Sequence, residues 1–462
     1  MHLPIFSLVA LVATPLTAAN IPSKFCDAAC RKEFEAARSS EAAQWVSQNV
    51  TLDPFYKAPE DLSSKAPGTL LRWQNVPNAQ LSTNWTIPAG LSLSRFLYVS
   101  EDHDGIPVPA SAYALLPYSQ VTIAGGTNTT KPLNTIVFTH GTAGNIPNCA
   151  PSNNKGLYYE WEGPLAMASH GYAVIGPDYA GLGTSRPHGL RYMSGYLHAA
   201  DVAYALIAAR SSSIGPRLSK EWVVAGHSEG GMTAWRVNER LAMANQTKMR
   251  DAAGQFLGAV AAAPAMVNLT QQFPGSLGSE ANPYPMFVFQ AFMEAFPNDI
   301  KAEDYLTDLA LARLPLMNQG CFVTATALFG RLSTKRIFKS TAFLQNPRLV
   351  EWQNTWAGSA IRQLAAPMLV LAGEADPVTN TNLDGVVDSA CQLLPQPTIS
   401  YIQYPGLGHD PSFQASQPHM FQWLRERFEG VPLQSGCRRV TVQPLTKNYG
   451  TTQIGWTGEG LA

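Results

Sequence analysis

The segment Gly226-His227-Ser228-Glu229-Gly230 constrains this chain more than any other feature. The preceding WVVA has the composition of a buried strand, and the following GMTAWRVNERLAMA has the apolar spacing of a helix. In this context a G-x-S-x-G motif predicts a sharp strand-to-helix turn, which holds the serine hydroxyl above the end of the strand. Glycines are expected beside the serine because a Cβ there would clash across the turn. Ser228 is therefore the predicted nucleophile, and an ordinary glycine-rich turn is the alternative.

A serine hydroxyl needs a base to take its proton, and where the serine lies on such a turn the acid and then the histidine follow it in the chain. Two histidines follow Ser228. His409 lies in the glycine-rich segment YPGLGHDP, between strand-like and helix-like residues, whereas His419 is expected to pack, or to lie exposed, at the start of a helix. We therefore expect His409 to be the general base.

The carboxylate that would orient this base is predicted to be Asp376, in the segment MLVLAGEADPV. At this position an apolar strand gives way to a turn before a proline. Glu374 and Asp384 are alternatives. The interval between Asp376 and His409 has room for one helix and one strand, whereas the much longer interval from Ser228 to Asp376 requires an insertion.

The negative charge that develops on an attacked carbonyl oxygen needs two backbone N–H donors. The residue after the nucleophile, Glu229, is expected to supply one, and Thr142 in the segment FTHGTAG is the candidate for the other. His140 in the same segment and Asp178 in GPDYAG precede the serine. We expect both of these residues to brace loops and to take no part in the reaction.

From about residue 133, short apolar runs alternate with helical segments. The strand candidates are IVFTHG, YAVIGPDY, WVVAGHS, FLGAVAAAPA, MLVLAGEAD and ISYIQYP, and helices are predicted over 196–210, 230–244 and 420–428. Near-continuous apolar runs of this length suit strands buried on both faces of a parallel sheet. We therefore predict the α/β class, with a mostly parallel sheet flanked by helices in the manner of the α/β-hydrolase fold.

The remaining segments complete the predicted organisation. Residues 20–125 form an N-terminal region with a helix over 24–48 and early antiparallel strands at SRFLYVSED and ASAYALLPYS. The core comprises residues 126–264 and 363–462. Residues 265–362 are too many for a bare loop and are expected to form a mostly helical cap. Its apolar stretch over 285–296 suggests either contact with a hydrophobic substrate or lipid surface, or packing inside the cap.

Three features favour an extracellular protein. The first residues, MHLPIFSLVALVATPLTAA, predict a signal peptide over 1–19, because their apolar run is shorter than the roughly 20 residues of a membrane span. Five N-x-[ST] sequons, at Asn49, Asn84, Asn128, Asn245 and Asn268, are candidate glycosylation sites. Six cysteines, an even number, favour disulfides, whose pairing the sequence leaves open.

Charge and composition exclude other classes. The net charge of -1 gives no electrostatic reason to expect nucleic acid as a partner. No cluster of ligand residues predicts a metal, and the proposed chemistry needs no organic cofactor.

The segments DPFYKAPEDLSSKAPGTLLR, H-G-T, NCAPS, YAVIGPDYAG and GHSEGG, followed by the Asp376 and His409 segments, resemble in this order the fungal secretory lipase family, the lipase-A-like branch of the α/β-hydrolases. The resemblance implies an extracellular carboxylic-ester hydrolase with a helical cap that forms the acyl pocket. It also implies a disulfide between Cys149 and Cys321.

The predicted function is thus hydrolysis of a small-molecule or lipid ester through an acyl-enzyme on Ser228. An acyltransferase, or a tailoring hydrolase acting on a small specialised metabolite, is the alternative, because the same three residues would serve each. A serine peptidase and a non-catalytic binding protein are less favoured.

Overall fold

The computed structural model describes residues 21–120, 131–159, 162–184, 190–266, 283–340, 342–357, 362–394 and 397–451, without the side chains of 380–382. The predicted signal peptide and the sequons at Asn128 and Asn268 lie outside these residues. Asn49, Asn84 and Asn245 are exposed. None of the helices in the described ranges combines the length and apolar character that a membrane span requires.

A ten-stranded sheet forms the centre of the described chain, in the spatial order β1-β2-β3-β5-β4-β6-β7-β8-β9-β10. The pairs β1–β2, β2–β3 and β3–β5 are antiparallel. Every other pairing, from β5 across to β10, is parallel. The strands are β1 (Leu70–Asn75), β2 (Leu91–Glu101), β3 (Pro107–Pro117), β4 (Leu133–Thr139), β5 (Ala173–Pro177), β6 (Leu218–His227), β7 (Gln255–Ala262), β8 (Met368–Gly373), β9 (Thr398–Tyr404) and β10 (Gly436–Thr441).

Helices cover both faces of this sheet. On one face lie α4 (Gly195–Arg210), α5 (Glu229–Ala242), α6 (Thr247–Ala253) and α13 (Asn380–Leu393), and on the other lie α3 (Pro164–Ser169) and α14 (His409–Phe428). Successive side chains of β6 alternate between the two cores: Val224 packs on the first face, and Val223 and Ala225 pack on the second. This double burial explains the continuous apolar runs and confirms the predicted sheet with its flanking helices.

The described residues of the predicted cap region form helices joined by turns and short irregular stretches. It contains α7 (Tyr284–Ala295), α8 (Ala302–Tyr305), α9 (Asp308–Met317), α10 (Phe322–Phe329), α11 (Thr334–Ile337) and α12 (Pro347–Thr355). The large apolar side chains of α7, including Phe287, Phe289 and Phe292, are buried. Packing inside the cap therefore accounts for the apolar stretch that also suggested a lipid contact.

The N-terminal region holds the cap at the first turn of α10. The carboxylate of Glu41, on α1 (Ala28–Gln44), accepts hydrogen bonds from the N–H groups of Cys321 and Val323 and from the Thr324 hydroxyl, each at 2.6 Å. Cys321 also forms the disulfide with Cys149 that the family resemblance implied. These contacts join α1, the cap and the loop region after β4.

Several predicted boundaries are wrong. The first long helix spans Ala28–Gln44 and not 24–48, and Cys26 and Cys30 form a disulfide at its start. The last long helix begins at His409, well before the predicted residue 420. Two strands, β1 and β10, were not predicted. Most of β10 is exposed and lacks an apolar alternation, and a Cys391–Cys437 disulfide ties it to α13.

Candidate active site

Ser228 lies on the turn between β6 and α5, with φ 59° and ψ -122°. Its N–H donates to the Ala262 carbonyl at 3.0 Å. A Cβ on Gly226 would lie 2.0 Å from the Thr139 hydroxyl, and one on Gly230 would lie 1.9 Å from the Thr139 carbonyl oxygen. The glycines are therefore required by close approach to β4, and the turn has the form predicted from the motif.

The candidate acid and base meet at the same edge of the sheet. Asp376 follows β8, and His409 is the first residue of α14, with its Nδ1 atom 2.8 Å from Asp376 Oδ2. The Thr379 hydroxyl donates to the same carboxylate at 2.5 Å, and the N–H groups of Val378 and Thr379 donate at 2.7 and 3.1 Å. Burial opposes ionisation, but the His409 ring and these donors hold the pKa of Asp376 at about 2. The carboxylate is therefore charged at neutral pH.

The alternative residues lie elsewhere. Asp384 accepts a hydrogen bond from the Tyr401 hydroxyl at 2.8 Å, and Glu374 is exposed. The prediction that His419 lies at the start of a helix is wrong, because the residue lies in the middle of α14. Its Nδ1 atom is 2.7 Å from the Tyr404 hydroxyl. Of the two prolines in this helix, Pro411 lies in the first turn, where no backbone N–H partner is required, and Pro418 lies in the interior.

The two candidate oxyanion donors also lie beside Ser228. Glu229 is the first residue of α5, and Thr142 lines the same cavity as Ser228 and His409. Within the described ranges, neither backbone N–H donates to a protein acceptor. The Gly141 N–H, in contrast, donates to the Tyr159 hydroxyl at 2.7 Å. Thr142 is thus the residue of this loop whose N–H stays available next to the nucleophile.

The loop that carries Thr142 is held from several sides. The Thr142 carbonyl accepts a hydrogen bond from the Tyr158 hydroxyl at 2.5 Å, and the Thr142 hydroxyl lies 2.8 Å from the Tyr192 hydroxyl. His140 is buried, with Nδ1 2.6 Å from the Gly141 carbonyl oxygen and Nε2 3.3 Å from that of Asp178. Burial lowers the pKa of His140 to about 4, so the ring is neutral. His140 and the Asp178 carbonyl thus brace the loop, in the way expected from the sequence.

The side chain of Glu229 has surroundings that sequence reasoning missed. It is buried, and its Oε1 atom accepts from the Met193 N–H at 3.0 Å and lies 3.7 Å from His198 Nδ1. Burial raises the pKa of Glu229 to about 8, against the opposing hydrogen bonds from Met193 and Thr142. The carboxyl is therefore mostly protonated at pH 7.

His227 is a second residue whose placement the motif alone could not reveal. Its ring centroid lies 4.8 Å from that of His409, and its Nδ1 atom lies 3.2 Å from the Tyr159 hydroxyl. Burial, and then the charge that His409 can carry, lower the pKa of His227 to about 4. The imidazole is therefore neutral in the pH range where His409 would act as a base.

The cavity beside Ser228 encloses about 30 Å³ and is bounded on the cap side by Tyr284 and Phe322. The Phe322 N–H donates to the Ala143 carbonyl at 3.0 Å, directly after the disulfide at Cys321. This wall is consequently tied to the loop of Thr142, and the described residues form a narrow, largely aromatic site.

A nucleophile turn at the end of a parallel strand, with a carboxylate–histidine pair beyond later strands, defines the class of α/β hydrolases. The chain belongs to the Alpha/beta hydrolase family, which matches residues 136–421. No curated protein matches this chain in sequence.

Solved structures support the same fold at low sequence identity. Lipase A of Candida antarctica in its closed state is 14% identical, with a TM-score of 0.64 over 84% of this chain and 88% of that one. The rice cell wall degrading esterase LipA of Xanthomonas oryzae is 17% identical, with a TM-score of 0.58 over 78% of this chain and 98% of that one. A protein of Legionella pneumophila described as a hydrolase is 16% identical, with a TM-score of 0.61 over 79% of this chain and 100% of that one.

Proposed function

We propose that this protein is a secreted carboxylic-ester hydrolase of the lipase or esterase type, which acts through an acyl-enzyme on Ser228. The observation that carries the proposal is the Asp376–His409 contact of 2.8 Å beside a cavity that His409 shares with Ser228. The backbone N–H groups of Thr142 and Glu229, which have no acceptor in the part of the chain that the structure describes, border the same serine. This arrangement supports the proposed roles of nucleophile, base, orienting acid and oxyanion donors.

In the acylation step, the Ser228 hydroxyl oxygen attacks the ester carbonyl while His409 takes its proton through Nε2. Asp376 holds the other ring nitrogen, so that Nε2 presents its lone pair, and its charge stabilises the imidazolium that forms. The negative charge moves to the carbonyl oxygen and is stabilised by the N–H groups of Thr142 and Glu229. The alcohol then leaves with the proton of His409, and the acyl group stays on Ser228.

In the second step, water attacks the acyl-enzyme with His409 again as the base, and the acid is released.

The neutral state of the Glu229 side chain matters for both steps, because the N–H of the same residue donates to the oxyanion. A carboxylate at this position would repel the charge that the two N–H groups stabilise. Asp376 is therefore the anion on which the reaction relies.

The substrate is proposed to be an ester with an apolar acyl group, because Tyr158, Tyr284 and Phe322 line the cavity beside Ser228. The similarity in fold to a Candida antarctica lipase and to a Xanthomonas oryzae esterase supports ester chemistry. Secretion is supported by the predicted signal peptide, the three disulfides and the exposed sequons at Asn49, Asn84 and Asn245.

The test is hydrolysis of p-nitrophenyl esters of increasing acyl length by the wild-type protein and by Ser228→Ala. We expect the variant to lose activity by a factor of about 10⁴ or more. Ser92→Ala, at an exposed position of β2, is the matched control and should keep full activity. A fluorophosphonate probe should label the wild type and the control but not Ser228→Ala. Equal hydrolysis by all three proteins would contradict the proposal.

A further inference from the structure

Three buried side chains that can bind metal face the cavity beside Ser228. They are His227, His409 and Asp410, and their ligand atoms all lie within 4.8 Å of one another. His227 Nε2 and Asp410 Oδ1 are 3.6 Å apart. The reaction described above uses only His409 of these three.

His227 supplies the second observation. The residue is 1% exposed, and its Nε2 atom faces Asp410 Oδ1 at 3.6 Å without forming a hydrogen bond of normal geometry; the ring also contacts the His409 backbone. A buried polar atom left in this way is costly, and few persist in folded proteins without a function or a missing ligand.

The tautomer that metal binding requires is compatible with the surroundings. A lone pair on Nε2 places the proton of His227 on Nδ1, which lies 3.2 Å from the Tyr159 hydroxyl. That oxygen already accepts from the Gly141 N–H at 2.7 Å and has a second lone pair for the Nδ1 proton. No other group needs to move for Nε2 to become a ligand.

Two imidazoles and a carboxylate are the donor set of a Zn²⁺ ion with an open fourth position. With bonds of about 2.0–2.1 Å, tetrahedral ligand atoms lie about 3.4 Å apart. The 3.6 Å between His227 Nε2 and Asp410 Oδ1 is close to this value, and the ligand atoms of all three residues lie within 4.8 Å of one another. Asp376 on the far nitrogen of His409 supplies the carboxylate–histidine pairing that orients metal ligands.

We propose that His227, His409 and Asp410 form an inhibitory Zn²⁺ site, with the fourth position facing Ser228. Binding forms three metal–ligand bonds and releases water from the hydrated ion, without any redox step. The lone pair of His409 that would take the Ser228 proton then belongs to the metal, so ester hydrolysis stops until a chelator removes the ion. The inhibitory consequence rests on the proposed function, whereas the binding itself does not.

Binding is tested directly on the full-length Ser228→Ala protein, with Co²⁺ as the spectroscopic probe and Zn²⁺ as the competitor. We expect visible absorption bands of four-coordinate Co²⁺, which Zn²⁺ abolishes. His227→Asn and Asp410→Asn, each introduced into this background, should weaken Co²⁺ binding about tenfold or more. His419→Asn is the matched control on α14 and should bind as its parent does.

Inhibition is tested on the active enzyme by titrating Zn²⁺ during ester hydrolysis, with each variant compared with its own metal-free rate. The inhibition constant should rise about tenfold or more in His227→Asn and in Asp410→Asn, stay unchanged in His419→Asn, and be reversed by EDTA. Unchanged inhibition in both folded site variants would overturn the proposal. A protein without ester hydrolysis would contradict the proposed function alone, since Co²⁺ binding still tests the site.

Discussion

Replacement of Glu229 by glutamine tests the electrostatics of the proposed oxyanion site. The groups that face this carboxyl are the Met193 N–H at 3.0 Å, His198 Nδ1 at 3.7 Å and the Thr142 hydroxyl. The hydroxyls of Tyr179 and Tyr192 are also close, and burial holds their pKa values well above 10, so neither adds a charge. Burial raises the pKa of Glu229 to about 8, so its negative charge develops above neutral pH.

We take about 5 Å as the separation between that charge and the oxyanion, which sets the scale of their repulsion. At an effective dielectric constant of about 20, two negative charges at this distance repel by about 3 kcal/mol. Such a cost lowers the rate about 100-fold. We therefore expect kcat of the wild type to fall about 100-fold as the pH rises through about 8. Glutamine keeps an acceptor for Met193 and cannot ionise, so Glu229→Gln should lack this decline.

Stability should depend on pH through the same group. Between the ordinary value of 4.5 and the folded value of about 8, the folded protein holds the proton of Glu229 and the unfolded chain has released it. The folded state therefore binds more protons in this window, and its stability falls as the pH rises, until the loss levels off above about 8. At about 1.4 kcal/mol for each pH unit, the loss has an upper bound of about 5 kcal/mol. The glutamine variant should lack it.

The assay is the pH dependence of kcat from about pH 5 to about pH 10, together with urea unfolding at about pH 5 and about pH 8.5. Glu221→Gln, at an exposed position of β6, is the matched control and should behave as the wild type does. The reasoning fails if Glu229→Gln and the wild type lose activity in parallel above pH 8, or if their stabilities show the same pH dependence.

Three further predictions concern the acid and the ties between cap and core. Asp376→Asn should lower kcat about 10⁴-fold, because His409 loses the partner that sets its tautomer; a loss below tenfold would point to another acid. Glu41→Gln should lower the free energy of unfolding by about 1–3 kcal/mol, measured in urea, because the amide nitrogen of glutamine cannot accept the hydrogen bonds that one of the carboxyl oxygens accepts. Replacement of Cys149 and Cys321 together by serine should cost up to about 5 kcal/mol, because their disulfide closes a long loop; unchanged urea midpoints would contradict these last two expectations.

Much of the fold and of the candidate site could be predicted because the signals are local. A glycine at Gly226 or Gly230 is required by atoms of the adjacent strand, and this requirement is visible as a motif of five residues. Strands buried on both faces produce continuous apolar runs, so β4 to β9 could be recognised one by one. The order of serine, acid and histidine along the chain then limited the partners of Ser228 to a few residues.

Only the tertiary structure decided which groups meet. Glu374, Asp376 and Asp384 all follow β8 and were all candidates for the acid. The contact of Asp376 with His409, the first residue of α14, separates it from the other two. The protonated state of Glu229 and the neutral ring of His227 depend on burial by residues distant in sequence, which no local pattern encodes. The sequence by itself thus determined the type of turn, the class of sheet and the candidate nucleophile. The charges and contacts around that nucleophile depend on long-range packing, because desolvation and hydrogen bonding are properties of the assembled site.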